Sequence, residues 1–311
     1  VSGLVRVHDG ALIAGEGTHD IHHARVYKFD LASGRLVGTF TSQGHIEAEV
    51  IPASWQNKTS LLVSTGAGGI VSLNPQTLDQ QWQFREGHID AAARVVDKTV
   101  FVGTGREKEN IGGSKGVAFA IDLLSGKKLW QQELPASTWM RPVAVKDRVC
   151  FVFGEVYFHS DLGGFYCFMQ KDGTPDIAYN NAAPIVSEPV LLDDDVITAD
   201  LQGKVCRVSL RDGLAKWCRS TGKAAKAFAN PVYDPKFHLL VYPSEKEGVL
   251  VMDPANGHIV TTWKGDGRTN PWAPTLAPMV ITEDGWLVVD MGGNLRKLRW
   301  DAEPQKILHS L

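Results

Sequence analysis

A chain of 311 residues with 43% hydrophobic and 22% charged side chains has ample apolar surface for a globular core. Its formal charge of −3, with Lys and Arg scattered, excludes the basic footprint of a nucleic-acid or anionic-membrane binder. No apolar run approaches the roughly 18 residues of a spanning helix, and the opening VSGLVRVHDG does not read as a signal peptide.

Composition favours β structure. Gly (31) and Trp (9) are frequent, helical stripes are hard to find, and Val-rich runs recur. TVFVGTG (99–105), VCFVFG (149–154), DVITAD (195–200) and LLVYP (239–243) are predicted strands, and no stretch is predicted helical. In chain order the strand signals group into segments of about 40–47 residues, the length of a four-stranded propeller blade. The boundaries fall at 1–43, 44–87, 88–134, 135–180, 181–221, 222–267 and 268–311, all within one domain. Two segments begin alike, GHIEAEV (44–50) and GHIDAAARV (87–95). The pattern predicts an all-β chain, a β-propeller of four-stranded antiparallel blades. Seven are counted; an eighth is possible if an N-terminal piece is missing, since the order runs from an innermost to an outermost strand.

An eleven-residue motif supports that register. AIDLLSGKKLW (120–130) holds Asp122, Ser125, Gly126 and Trp130. SLNPQTLDQQW (72–82) keeps Trp82 but puts Leu78 at the Gly position, and RVSLRDGLAKW (207–217) keeps Gly213 and Trp217. KFDLASGRLVG (28–38) loses the Trp, VMDPANGHIVT (251–261) moves it to Trp263, and Cys167–Ile177 keeps only Gly173. Lys297–Ile307 keeps almost nothing. Asp and Ser are turn chemistry, and Gly accepts a positive φ. The Trp ring then falls on the outer strand, where it is expected to pack against the next blade. This pattern resembles the tryptophan-docking motif of the quinoprotein-type, PQQ-like propeller family. Its members include quinoprotein alcohol dehydrogenases and the propeller lipoprotein of the outer-membrane β-barrel assembly machinery, and the latter is the nearer functional analogue.

Extra length concentrates at GTHDIHHAR (17–25), GREKENIGGSKG (105–116) and GEVYFHSDLGG (154–164), connections expected on one face of a propeller and suited either to recognition or to plain solvation. Around the channel, the register of the residue before a recurring Pro is filled by Glu49, Arg141, Glu188 and Asn230. Glu47, Asp90 and Trp139 lie two residues earlier. Such a ring suits a small polar ligand or a peptide side chain; the alternative is a polar, water-filled channel. His19, His22 and His23 form a candidate transition-metal set, to which His45, His88 and His159 are expected to be close; a solvated loop is the competing reading.

The four cysteines form no CxxC. Hairpin geometry places Cys206 opposite Cys218 and brings Cys150 near Cys167, so two disulfides or four buried thiols both fit. Disulfides imply a periplasmic or extracellular setting. The resemblance to quinoprotein dehydrogenases implies PQQ, calcium and a catalytic Asp, yet the adjacent cysteines typical of those enzymes are missing. Glu47, Glu49, Asp90 and Glu188 would supply acids for a hydrolase or lyase. The reading preferred is a non-catalytic, monomeric propeller without a cofactor, binding a protein or peptide partner within a larger chain or complex, with no nucleic acid and no transmembrane segment.

Overall fold

The computed structural model describes residues 5–17, 21–105, 116–156, 161–221, 229–244, 247–265, 278–290, 292–301 and 306–309. Every regular element among them is a strand, and the strands form seven four-stranded sheets whose neighbours follow chain order. The first sheet holds β1 (Arg6–His8), β2 (Ala11–Gly15), β3 (Arg25–Asp30) and β4 (Leu36–Thr41); the second β5 (Ile51–Trp55), β6 (Lys58–Ser64), β7 (Ile70–Leu73) and β8 (Gln80–Phe84). The third holds β9 (Arg94–Val96), β10 (Thr99–Gly103), β11 (Gly116–Asp122) and β12 (Lys128–Leu134). The fourth holds β13 (Val143–Val145), β14 (Arg148–Gly154), β15 (Gly163–Met169) and β16 (Pro175–Asn181). β17 (Val190–Leu192), β18 (Asp195–Ala199), β19 (Lys204–Ser209) and β20 (Ala215–Ser220) make the fifth; β21 (Val232–Asp234), β22 (Leu239–Ser244), β23 (Gly248–Met252) and β24 (Ile259–Trp263) the sixth. β25 (Val280–Thr282), β26 (Gly285–Val289), β27 (Leu295–Asp301) and β28 (Lys306–His309) make the seventh. This is a β-propeller of seven antiparallel blades.

Contacts divide the chain into two compact units, Val1–Phe153 with Tyr166–Asp176, and Gly154–Phe165 with Ile177–Leu311. In the first unit the core lies between successive sheets, because a four-stranded sheet has two apolar faces to hide and each neighbour covers one. Ile13 and Val26 of the first sheet pack with Leu61, Val63 and Leu73 of the second. Leu62, Ile70 and Phe84 of the second sheet meet Val100, Val102 and Phe119 of the third, and Phe101 and Ala118 of the third meet Phe151 and Phe168 of the fourth. In the second unit Ile197 and Val205 pack with Leu240 and Tyr242, while Val241 and Val251 pack with Trp286 and Val288.

The eleven-residue motif is a hairpin corner with a docking ring. Asp122 Oδ1 accepts from the Ser125 amide (2.8 Å) and hydroxyl (2.7 Å), and the Gly126 amide donates to the Asp122 carbonyl (2.9 Å). Burial raises the Asp122 pKa, but the Ser125 hydrogen bonds outweigh it and hold the carboxyl below the usual carboxylate range. A bulge follows: Ala120 pairs with Trp130 and Ile121 with Lys128, which leaves Leu129 unpaired and turned outward. The same register shift recurs at Lys28/Phe29, Ser72/Leu73, Arg207/Val208 and Val251/Met252.

Each ring then caps the turn of the following blade. Trp82 Nε1 donates to the Leu123 carbonyl (2.7 Å), Trp130 to Gln170 (2.9 Å) and Trp217 to Pro254 (3.0 Å). Those acceptors occupy the same motif position. Gly126, with φ +69°, shows why glycine is needed twice over: its φ is left-handed, and a Cβ would sit 2.7 Å from the Trp82 ring. Gly173 and Gly257 stand in the same relation to Trp130 and Trp217, while Gly213 lies beneath Ile177, which fills the Trp position of its blade.

The first seam reverses the pattern. The Trp position is Gly38 and the Gly position is Leu78, held at φ +62° despite its side chain. A Cβ on Gly38 would lie 3.2 Å from Leu78 Cδ1, so the leucine of one blade fills the space left by the missing ring of the other. Lys28 Nζ replaces the indole as donor to the equivalent carbonyl, Pro75 (2.6 Å). Leu78→Gly opens a cavity and Gly38→Trp overfills the seam; each is expected to cost about 1–3 kcal/mol. In the double variant the combined cost should fall short of the sum by at least ~1 kcal/mol, read from urea midpoints in a double-mutant cycle. Strict additivity would show that the two positions do not share one cavity.

Candidate functional site

The paired GHI segments precede β5 and β9, and their histidine side chains meet within the first unit. The Ile89 and Gly66 amides exchange hydrogen bonds (3.0 Å each), and the Gly105 amide donates to the His88 carbonyl (2.8 Å). Residues 88–90 are thereby held between the β6–β7 and β10–β11 connections. His45 Nε2 lies 2.7 Å from Asp90 Oδ1 and His88 Nε2 lies 2.9 Å from the same oxygen. The imidazole centroids are 5.1 Å apart, tilted by 43°. All three side chains are under 10% exposed. Burial alone would raise the Asp90 pKa; the hydrogen bonds and charges of His45 and His88 more than offset it, so the carboxyl stays well below the usual carboxylate range.

Glycine makes the close approach possible. Gly66, at φ +55°, presses on the imidazole of His45, where a Cβ would come within 2.4 Å. Gly105 abuts the Trp139 ring and Asp90 Oδ2, with a Cβ falling 3.1 and 3.2 Å away. Among the described residues, His45, His88 and Asp90 are the one set of His, Cys, Asp or Glu ligand atoms near enough together to share an ion.

Asp90 is thus not on an open channel wall: it is buried between two histidines, one from each GHI segment. Trp139, half-buried, lies against Gly105, and Glu47 is half-buried two residues after His45. Glu49 and Arg141 do meet. Glu49 Oε2 is 3.2 Å from Arg141 Nη1, and Glu49 Oε1 is 2.6 Å from Arg6 Nη2, an ion-pair triad joining β1 to the segments that lead into β5 and β13. Arg6 carried no motif, so nothing in the sequence marked it. In the second unit the Glu188 amide donates to Asn230 Oδ1 (2.6 Å). His22 and His23 are exposed, whereas His19 and His159 lie outside the described residues, as do 18–20, 106–115 and 157–160 of the long connections.

Cys150–Cys167 joins β14 to β15, and Cys206–Cys218 joins directly opposed residues of β19 and β20. No described helix is long and apolar enough to cross a membrane.

Bulged outer hairpins, rings docked on glycine turns and seven four-stranded sheets define a propeller of PQQ-like repeats. The chain belongs to the family described as outer membrane protein assembly factor BamB, whose model matches residues 2–217 and 114–271. No curated protein sequence matches it. Among solved structures it is similar to BamB from Moraxella catarrhalis, at 14% identity and TM-score 0.69 over 94% of this chain and 83% of that one. A europium-containing methanol dehydrogenase has 12% identity and TM-score 0.76, over 99% and 79% of the two chains. Saccharomyces cerevisiae Sqt1 has 12% identity and TM-score 0.72, over 99% and 84%. At such identities the likeness speaks for the fold alone.

Proposed function

We propose that this chain is a non-catalytic propeller that binds a protein or peptide partner, as an assembly factor for outer-membrane proteins on the periplasmic side. Membership of a family described by that role carries the reading. Two disulfides support an oxidising compartment. In the first unit the connections of 16–24 and 104–115 are the long ones, against five residues between β6 and β7, and a partner is best accommodated there. Glu49 is better suited to structure than to acid–base chemistry, since a guanidinium from Arg6 and one from Arg141 each engage one of its carboxylate oxygens.

Immobilised protein incubated with detergent-solubilised outer-membrane proteins should retain a defined partner. Replacement of residues 106–115 by a short Gly-Ser turn should abolish that retention while leaving the unfolding midpoint unchanged. Equal capture by both proteins would remove this connection from the binding surface. A shifted quinone spectrum with dye-linked alcohol oxidation, on adding PQQ and calcium, would overturn the non-catalytic reading.

A further inference from the structure

We propose that His45, His88 and Asp90 form a binding site for one divalent transition-metal ion, zinc being the best match. The donor set is two imidazoles and one carboxylate, which suits zinc, nickel or cobalt better than calcium or magnesium. The donors converge from two separate connections, with both His Nε2 atoms within 2.9 Å of one Asp90 oxygen. Four-coordinate zinc with bonds of about 2.0–2.1 Å needs donors roughly 3.3 Å apart. A parting of about half an ångström, well within side-chain rotation, converts the hydrogen-bonded cluster into a ligand set.

The placement of the donors is specified by the backbone. His45 and His88 occupy the same position of the two GHI segments; the Gly66–Ile89 and His88–Gly105 backbone bridges fix the loop that carries His88 and Asp90, and His45 packs on Gly66 of the first bridge. Three protein donors leave one coordination position, which water or a partner's side chain would complete. Bound there, the ion ties the approach to β5 to the approach to β9. It thereby makes the shape of this end of the first unit depend on metal supply. The exposed pair His22 and His23 lacks a third described donor and offers no comparable set.

Chelator-stripped protein titrated with cobalt should develop the intense visible bands of a tetrahedral site at one equivalent per chain, and zinc should bleach them. Asp90→Asn and His88→Ala should each weaken cobalt binding by about tenfold or more, whereas a His22→Ala/His23→Ala variant should bind like the parent. Circular dichroism of each variant establishes that it is folded. Should His88→Ala unfold, the parent titration decides alone: absence of tetrahedral bands in the intact chain overturns the proposal. Bands that vanish with the His22/His23 pair, or persist unchanged in Asp90→Asn, overturn it equally.

Discussion

Trp130→Ala is expected to lower the stability of the chain by about 3–5 kcal/mol. Trp130 is 8% exposed and lies 5.8 Å from the ring of Phe101 and 6.1 Å from that of Phe168, so its removal leaves a cavity between the third and fourth sheets. Collapse into that space is resisted because Gly173 beneath it has no side chain and its φ of +74° is set by the hairpin. The Gln170 carbonyl also loses its indole donor. Trp130→Phe separates the two contributions: it retains most of the apolar area and should cost only about 1–2 kcal/mol for the lost hydrogen bond and residual gap. Urea unfolding of the two variants against the parent is the measurement. A loss below ~1 kcal/mol for alanine would mean that the indole is not what holds this seam.

That sensitivity explains why the architecture was legible in the residues. Asp-x-x-Ser-Gly followed by Trp is a local signal with a physical cause at each position, and one strong copy at 120–130 sufficed to align weaker ones. The seven blades and the family followed from it. Where a copy is degenerate, the backbone keeps the geometry through other atoms. Leu78 adopts the glycine conformation, Lys28 supplies the donor that a Trp would, and β27 pairs with β28 although Lys297–Ile307 has no recognisable motif. A pattern read residue by residue cannot see such exchanges, since the compensating partner sits about 40 positions away.

The functional cluster was less legible, for a related reason. The equivalence of GHIEAEV and GHIDAAARV marks His45 and His88 as sharing a register. It carries no information on whether equivalent residues of neighbouring blades touch. Contact depends on Gly66 and Gly105, whose missing side chains let the loops close on each other. Read as a ring position alone, Asp90 looks like Glu47; in three dimensions it is a buried anion between imidazoles. The Glu49 triad was half visible, because Arg141 is carried by the recurring Pro segment whereas Arg6, on β1, belongs to no recurring motif.

Reduction of both disulfides is expected to remove about 6 kcal/mol in total, close to 3 kcal/mol for each on the loop-closure relation. Cys150–Cys167 closes a separation of 17 residues and Cys206–Cys218 one of 12, and the two loops do not overlap, so their effects on the unfolded chain should add. Their accessibility differs. Cys150 and Cys167 are both 1% exposed, in a sheet whose neighbouring residues Phe151 and Phe168 lie in the core. Cys206 is buried, but Cys218 is exposed on the outer strand β20. Mild thiol reductant acting on the native protein should therefore open Cys206–Cys218 first. The Cys150–Cys167 bridge should open only as the chain unfolds, because attack needs access to a sulfur. Timed alkylation read by mass spectrometry should show an intermediate with two labelled cysteines, 206 and 218, and a urea midpoint between those of the oxidised and fully reduced forms. Simultaneous labelling of all four cysteines would show that the outer bridge is as well protected as the inner one.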